Sequence, residues 1–231
     1  MSLNFACFVT GTDTGVGKTL ISSALLHGLS KAGLKTVGMK PLAAGAEMRD
    51  GGLYNDDVVA LEGASSLSVP RELVVPYLLR EPAAPHIAAA LEHTAIDPQR
   101  LLTAYAQLTS RAEAVVVEGV GGFRVPLTDD FDTADLAEKL QLDVILVVGL
   151  RLGCLNHALL TAEAITARGL RLAGWVANEI DPTMSHQQGN IDALRSRLSA
   201  PLLGRVPYIA QASAEVAAQY LDLRWTGVVP A

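Results

Sequence analysis

The sequence predicts a doubly wound α/β fold around a mainly parallel sheet. Three observations carry that expectation. Short runs rich in Val, Ile and Leu recur along the chain, their interiors are apolar throughout, and segments with helical periodicity separate them. Continuous apolar runs mark strands covered on both faces, and regular β–α alternation makes neighbouring strands parallel.

The elements follow in order. Strands are expected at residues 5–9, 35–39, 114–117, 144–148, 172–177 and 202–206. Helices are expected at 18–32, 98–111, 133–139, 157–168, 189–198 and 214–221. Gly33 and Gly169 stand just past two of them, where a helix end wants a left-handed residue. Residues 43–98 are the least regular, rich in proline and carrying Gly51-Gly52, with one helix expected at 56–61. No repeat, low-complexity tract or linker divides the chain, so residues 1–231 read as a single domain.

Composition narrows the function. Half of the 231 residues are hydrophobic and 18% are charged, which supplies a sizeable core. A net charge of −6 without a Lys/Arg block argues against nucleic acid as the main partner. Cys7 and Cys154 are too few for a disulfide framework and lack metal-ligand spacing, as in a reducing cytoplasm. The apolar stretch before Thr10 is far shorter than a signal-peptide core or a membrane span. A cytoplasmic protein, not held in a membrane, is the expectation.

The most informative run is Thr10-Gly11-Thr12-Asp13-Thr14-Gly15-Val16-Gly17-Lys18-Thr19. A strand feeds a Gly-rich turn that closes on Gly-Lys-Thr at a helix start, the arrangement of a phosphate loop. Backbone N–H groups there point at phosphate oxygens, Lys18 adds a mobile charge for the β/γ-phosphates, and the Thr19 hydroxyl suits Mg²⁺. The spacing departs from Gly-x4-Gly-Lys-Ser/Thr, because Thr12 stands where glycine is required and Gly11 comes one residue early.

In doubly wound sheets, ligands bind beyond the C-terminal strand ends. Polar residues directly after each apolar run therefore form one constellation. Pro41 stops the second strand and leaves Lys40 at that edge, a second ammonium for phosphoryl charge. Glu118 ends Val115-Val116-Val117 ahead of Gly119-Val120-Gly121-Gly122; a carboxylate there calls for a metal or cation partner. Asn55-Asp56-Asp57 offers further carboxylates, either of which spacing allows as a metal ligand or as a cap on the following helix. The carboxamide of Asn178 matches the adenine N6/N7 edge. Asn178-Glu179-Ile180-Asp181 also mimics a guanine reader, but Glu179 takes the place of its lysine, which favours adenine. The histidines show no metal-site spacing, and Cys154 reads as a packed thiol.

Taken together, these motifs resemble the dethiobiotin synthetase family. Gly11-Thr12-Asp13-Thr14-x-Val16-Gly17-Lys18-Thr19, Lys40-Pro41, Asn55-x-Asp57, Pro85-His86, Glu118-Gly119-x-Gly121-Gly122, Gly153-Cys154-Leu155-Asn156-His157 and Gly174-Trp175-Val176-Ala177-Asn178 carry the resemblance over nearly the whole chain. It implies a P-loop NTPase-like fold with a seven-stranded parallel sheet, a homodimer, and synthesis of dethiobiotin from 7,8-diaminononanoate, CO₂ and MgATP in biotin biosynthesis. By resemblance, Lys18 and Lys40 are the phosphate-contacting lysines, and Thr19, Asp57 and Glu118 are associated with Mg²⁺, which selects Asp57 over Asp56. Thr14, Gly15, Val16, Gly17, Lys18, Thr19 and Leu20 bind the nucleotide with Asp57, Asn178, Pro207, Tyr208, Ile209 and, at a position one residue ambiguous with Ala214, Glu215. Thr14, Lys40, Ala44 and Gly121 lie on the substrate side. Gly153, Cys154, Leu155 and Asn156 meet the diamino acid's carboxylate across the dimer interface. Gly15 and Ala44 depart from common members, which often have glutamate and serine there. The rival reading is a partitioning or targeting ATPase switch, but such proteins often carry an extra lysine early in the loop, and Thr10 to Gly15 contains none.

Overall fold

Six of the apolar runs pair side by side in the computed structural model, which describes residues 3–49 and 51–229. Strand β1 (Phe5–Gly11) leads through the phosphate loop into α1 (Lys18–Lys31) and β2 (Thr36–Met39). An excursion follows: β3 (Leu42–Ala43), β4 (Glu47–Arg49), β5 (Gly52–Tyr54), α2 (Asp56–Ala64), α3 (Arg71–Val74), β6 (Tyr77–Leu78) and α4 (Pro85–Leu91). Regular alternation then resumes with α5 (Pro98–Thr109), β7 (Ala114–Glu118), α6 (Thr133–Leu140), β8 (Asp143–Gly149), α7 (Cys154–Ala167), β9 (Leu172–Asn178), α8 (Gln187–Arg195), β10 (Leu202–Val206) and α9 (Ala214–Ala218), ending in a 3-10 turn at Arg224–Thr226.

The main sheet runs β10-β9-β8-β1-β7-β2, every pair parallel. Strand side chains divide between two faces. Cys7, Val9, Val116 and Val147 pack with Ile21, Leu25 and Leu61 under α1 and α2. Phe8, Val115 and Val117 pack with Leu101, Leu108 and Leu136 under α5 and α6, and Leu146 and Trp175 meet Ala158 and Ile191 of α7 and α8. Burial on both faces explains why these strands read as uninterrupted apolar runs.

The sheet has six strands, not the seven that the resemblance implied. Beside β10 lies a single antiparallel bridge, Gly204 with Leu221, supported by Asp222 N–H donating to Leu203 O at 2.8 Å. Leu42–Ala43 pairs with Tyr77–Leu78 in a separate two-stranded sheet, because Pro41 has already broken the β2 ladder. Helix ends also shift. Helix α7 begins at Cys154 on a left-handed Gly153 (φ 95°), earlier than the histidine expected to open it. Helix α8 spans Gln187–Arg195 rather than 189–198, and α9 stops at Ala218. Gly33 and Gly169 do adopt positive φ, at 93° and 70°.

Candidate functional site

Strand β1 is flanked by β7 and β8, so the loop that leaves its C-terminal end opens onto the rim where both neighbours also end. Within that loop Gly17 has φ 88°, and a β-carbon there would come 2.1 Å from Nδ2 of Asn178. Only glycine satisfies both conditions. Asn178 in turn ends β9, is buried, and donates from Nδ2 to the Val16 carbonyl at 2.8 Å. Lys18 folds back, its Nζ donating to Asp13 O at 3.0 Å. Burial, helped by the neighbouring Lys40 ammonium, pulls its pKa down to about 8.

Beside it stands an ionic cluster. Lys40 is 2% exposed and its ammonium donates to Glu118 Oε1 (2.6 Å), Asp57 Oδ2 (2.8 Å) and the Gly119 carbonyl (3.2 Å). Burial alone would lower its pKa, but Glu118 and Asp57 outweigh that and raise it. Asp57 lies half-buried; desolvation opposes its charge, yet Lys40 and the Thr19 hydroxyl bring its pKa below the ordinary carboxylate value.

The Thr19 hydroxyl lies 2.6 Å from Asp57 Oδ1 and 2.8 Å from Glu118 Oε1. It has one proton, so it serves one carboxylate at a time. Glu118 is fully buried, and among the described residues its Oε2 has no hydrogen-bond partner. Two carboxylates and a hydroxyl, with one orphaned buried oxygen, form a hard donor set that fits Mg²⁺. No cluster of three or more His, Cys, Asp or Glu suited to a metal occurs among the described residues. A cation here would therefore complete its shell with water or phosphate oxygens, as Mg²⁺ prefers.

All of these groups but Glu118, which stays buried, face a cleft of about 900 Å³ that gathers Thr14, Gly15, Gly17, Lys18, Thr19, Lys40, Ala44, Asp57 and Gly121. Pro82-Ala83-Ala84-Pro85, Val120 and Val125 also line it, so the pocket joins charged groups to apolar ones. A second cleft of about 480 Å³ shares Thr19 and brings Leu20 together with both Ala214 and Glu215. Pro207, Tyr208 and Ile209 follow β10 directly, with Tyr208 exposed. Gly153, Cys154, Leu155 and Asn156 line neither cleft. They form the start of α7, where Cys154 is buried and the adjacent Leu152 is 96% exposed.

Two features escaped the sequence. Asp13 is more than a loop residue, since Arg151 from the turn after β8 pairs with its carboxylate. That carboxylate's pKa is lowered first by the Thr14 N–H and then by Arg151, against desolvation. Pro82, Ala83 and Ala84 beside Pro85 have no sequence signal either, because small apolar residues carry no chemical signature. Asp56 does not reach the cluster, and Asn55, rather than either aspartate, caps α2 by accepting from Val58 N–H at 3.3 Å.

A phosphate loop on a central parallel strand, with lysines and an acid–hydroxyl cluster at one rim, defines a P-loop nucleotide-binding protein. Solved structures agree on the fold. The septum site-determining protein MinD from Pyrococcus horikoshii OT3, complexed with Mg-ADP, superposes with TM-score 0.56 at 16% identity, covering 98% of this chain and 90% of that one. A ParA family ATPase from Chlorobium tepidum TLS gives TM-score 0.56 at 15% identity, covering 96% and 91%. Sequence relatives are more specific. The family model AAA_26, an AAA domain, matches residues 6–216. The ATP-dependent dethiobiotin synthetase BioD of Janthinobacterium sp. (strain Marseille) is 57% identical over 226 residues, 96% of each chain. That of Aromatoleum aromaticum (strain DSM 19018 / LMG 30748 / EbN1) is 56% identical over 214 residues, 92% of this chain and 95% of its own. The chain belongs to the ATP-dependent dethiobiotin synthetase family.

Proposed function

We propose that this ATP-dependent ligase, which forms carbon–nitrogen bonds, makes dethiobiotin from 7,8-diaminononanoate, CO₂ and ATP, releasing ADP and phosphate. The observation that carries the reading is the meeting of Lys18, Lys40, Thr19 and Asp57 at one cleft with an apolar wall, with the buried Glu118 bonded to Lys40 and Thr19. A triphosphate needs the first part, and a diamine on an alkyl chain suits the second.

The chemistry divides into three steps. A neutral amine adds to CO₂ and loses its proton to solvent, giving a carbamate. A carbamate oxygen attacks the γ-phosphorus while the bond to ADP breaks, leaving a carbamic–phosphoric anhydride. The second amine then attacks the carbamoyl carbon, and phosphate departs as the ureido ring closes. Loop N–H groups and Lys18 hold the phosphates, and Lys40 sits where charge develops on the transferring group. When bound, Mg²⁺ held by Thr19, Asp57 and Glu118 supplies Lewis-acid charge to phosphate oxygens. Gly121 and the alanine at position 44 leave room for the diamine, and bringing both amines together makes closure effectively unimolecular. Asn178, with Pro207, Tyr208 and Ile209, takes the adenine end, and Glu215 the ribose side.

The reading extends to assembly. In the homodimer that the family resemblance implies, Gly153, Cys154, Leu155 and Asn156 at the α7 N-terminus would meet the other copy's substrate carboxylate, an end suited to an anion. Residues 1–231 act as one domain in this scheme, in the cytoplasm. Among the described residues, no helix is long and apolar enough to cross a membrane.

The test is product identification by mass spectrometry after incubation with labelled bicarbonate, ATP and 7,8-diaminononanoate. Labelled dethiobiotin, with phosphate release that requires both CO₂ and the diamine, is the expected result. Phosphate release indifferent to the diamine, with no labelled product, would favour the switch-type ATPase instead.

A further inference from the structure

The loop after β7 carries Val120, Gly121, Gly122 and Val125 into the main cleft, and its own pairing is a single isolated bridge, Pro126 with Asp132, beyond the cleft-lining residues. What fixes it comes from the start of α6. Thr133, 2% exposed, donates its hydroxyl to the Phe123 carbonyl at 2.6 Å and accepts from Val125 N–H at 3.1 Å. Its own N–H donates to the Val125 carbonyl at 3.0 Å. One residue thus closes both ends of the Phe123–Val125 stretch.

Thr133 is itself held. Asp132 and Asp135 form a reciprocal capping box, with Asp135 N–H donating to Asp132 at 2.9 Å and Asp132 N–H to Asp135 at 2.8 Å. Arg124, inside the clamped stretch, pairs with Asp132 at 2.5 Å, and Arg168, just past the end of α7, pairs with Asp135. The other end of the chain of contacts reaches the cleft. Gly121 has φ 62°, and a β-carbon there would lie 3.1 Å from Val125 Cγ2 and 3.7 Å from Thr14 Oγ1. Gly121 is therefore seated between the clamped Val125 and the phosphate loop.

We infer that Thr133 is a positioning residue for the diamine side of the reaction: its hydroxyl sets the height of Val125, and Val125 sets where Gly121 meets the substrate. The inference rests on the reading of the cleft given above. The lysines, Thr19 and Asp57 hold their places through bonds that do not involve Thr133. Losing the hydroxyl should therefore weaken the diamine's binding and leave the nucleotide's alone.

The experiment compares T133V and T133S with the parent enzyme. For each, KM is measured separately for 7,8-diaminononanoate and ATP, alongside kcat and ADP affinity by calorimetry. T133V, which keeps the volume but drops both side-chain bonds, is expected to raise the diamine KM roughly tenfold with ADP affinity within about twofold. T133S, which keeps the hydroxyl, should stay within about twofold of the parent. An unchanged diamine KM in T133V, an equal loss in T133S, or a parallel loss of ADP affinity would overturn the inference. Should T133V not fold, amide exchange on the parent decides. The Val125 amide is expected to exchange slowly and to slow further when the diamine is added with a non-hydrolysable nucleotide. Rapid exchange there, indifferent to the diamine, overturns the inference. A parent that makes no dethiobiotin removes the functional reading itself, and the diamine role of Thr133 with it; a productive parent beside an unaltered T133V removes only the latter.

Discussion

Replacing Lys40 with glutamine tests the ionic cluster most directly. The ammonium is buried and shared by Glu118, which is fully buried, and Asp57, whose side chain is 42% exposed. Removing one partner of a buried pair costs about 3–5 kcal/mol, because the remaining charge is stranded in a low-dielectric site. Asp57 can turn to water, so Glu118 carries most of that cost and the lower figure of about 3 kcal/mol applies. For a chain of this size each kcal/mol moves Tm by about 2–4 °C, which places K40Q roughly 6–12 °C below the parent in nucleotide-free melts at pH 7. Adding E118Q removes the stranded charge, so the double variant should regain more than half of the loss. Added Mg²⁺ should stabilise K40Q more than the parent, since the divalent ion supplies the missing positive charge to the same oxygens. Below its melting range, K40Q should lose about 100-fold in kcat with little change in the KM for ATP. A K40Q enzyme melting within about 2 °C of the parent, with no effect of E118Q, would refute the argument.

Other expectations follow from neighbouring groups. The Lys40 pKa is raised, so its stabilisation is present below the ordinary lysine value of 10.5 and is lost as pH climbs through the higher folded value. The lowered pKa of Asp57 works at the other end: its contribution is present above the ordinary carboxylate value of 3.8 and disappears as pH falls through the depressed one, so melts should show a broad plateau between. Lys18, at about 8, behaves oppositely to Lys40, because its charged form is penalised by burial; phosphate binding must restore the proton. Calorimetry of ADP binding near pH 8.5 (about half a unit above that value) in buffers of different ionisation enthalpy should therefore report proton uptake that K18M abolishes. D57N should raise the Mg²⁺ needed for half-maximal activity at least tenfold, whereas D56N, at an exposed position outside the cluster, should leave it unchanged and shift stability by less than about 0.5 kcal/mol. G17A combines a positive φ with collision against Asn178, and should lower Tm by about 5–10 °C while abolishing measurable ADP binding.

Much of the architecture was legible because burial on two sides leaves a strong mark. Val115-Val116-Val117 or Val144 to Val148 have no plausible place except the middle of a parallel sheet. The phosphate loop was equally plain, since few other structures need Gly-Lys-Thr between a strand and a helix. Legibility failed where local energies are small. Leu42–Ala43 and Tyr77–Leu78 are too short to show a period, and Arg71–Val74 is a single turn. Pro85–Leu91 is helical, but a Pro-His-Ile-Ala-Ala-Ala-Leu run gives no amphipathic stripe. The site shows the same division. The phosphate-loop pattern marks Lys18 and Thr19, and strand ends mark Lys40 and Glu118, whereas spacing does not separate Asp56 from Asp57. Only the packing of α2 against α1 decides which of the two reaches Thr19. The partnership of Asp13 with Arg151 crosses from β1 to β8 and has no local signal at all.

The segment after β10 does two jobs at once. Its Leu221 and Asp222 cover the outer strand's hydrogen-bonding groups, and Gly204 leaves no space for a side chain beneath the Tyr220 carbonyl, 2.2 Å from where a β-carbon would sit. Trp225 then stacks edge-on against Phe5, 5.5 Å between ring centres, tying that segment to the first strand. Because Glu215 and Ala214 belong to the same segment and line the cleft beside Thr19, any change that peels it away would unmask a raw sheet margin and strip a wall from that cleft together. Under the proposed reading, self-association and weakened nucleotide binding should therefore appear as one linked defect in variants of this stretch, never as two independent ones.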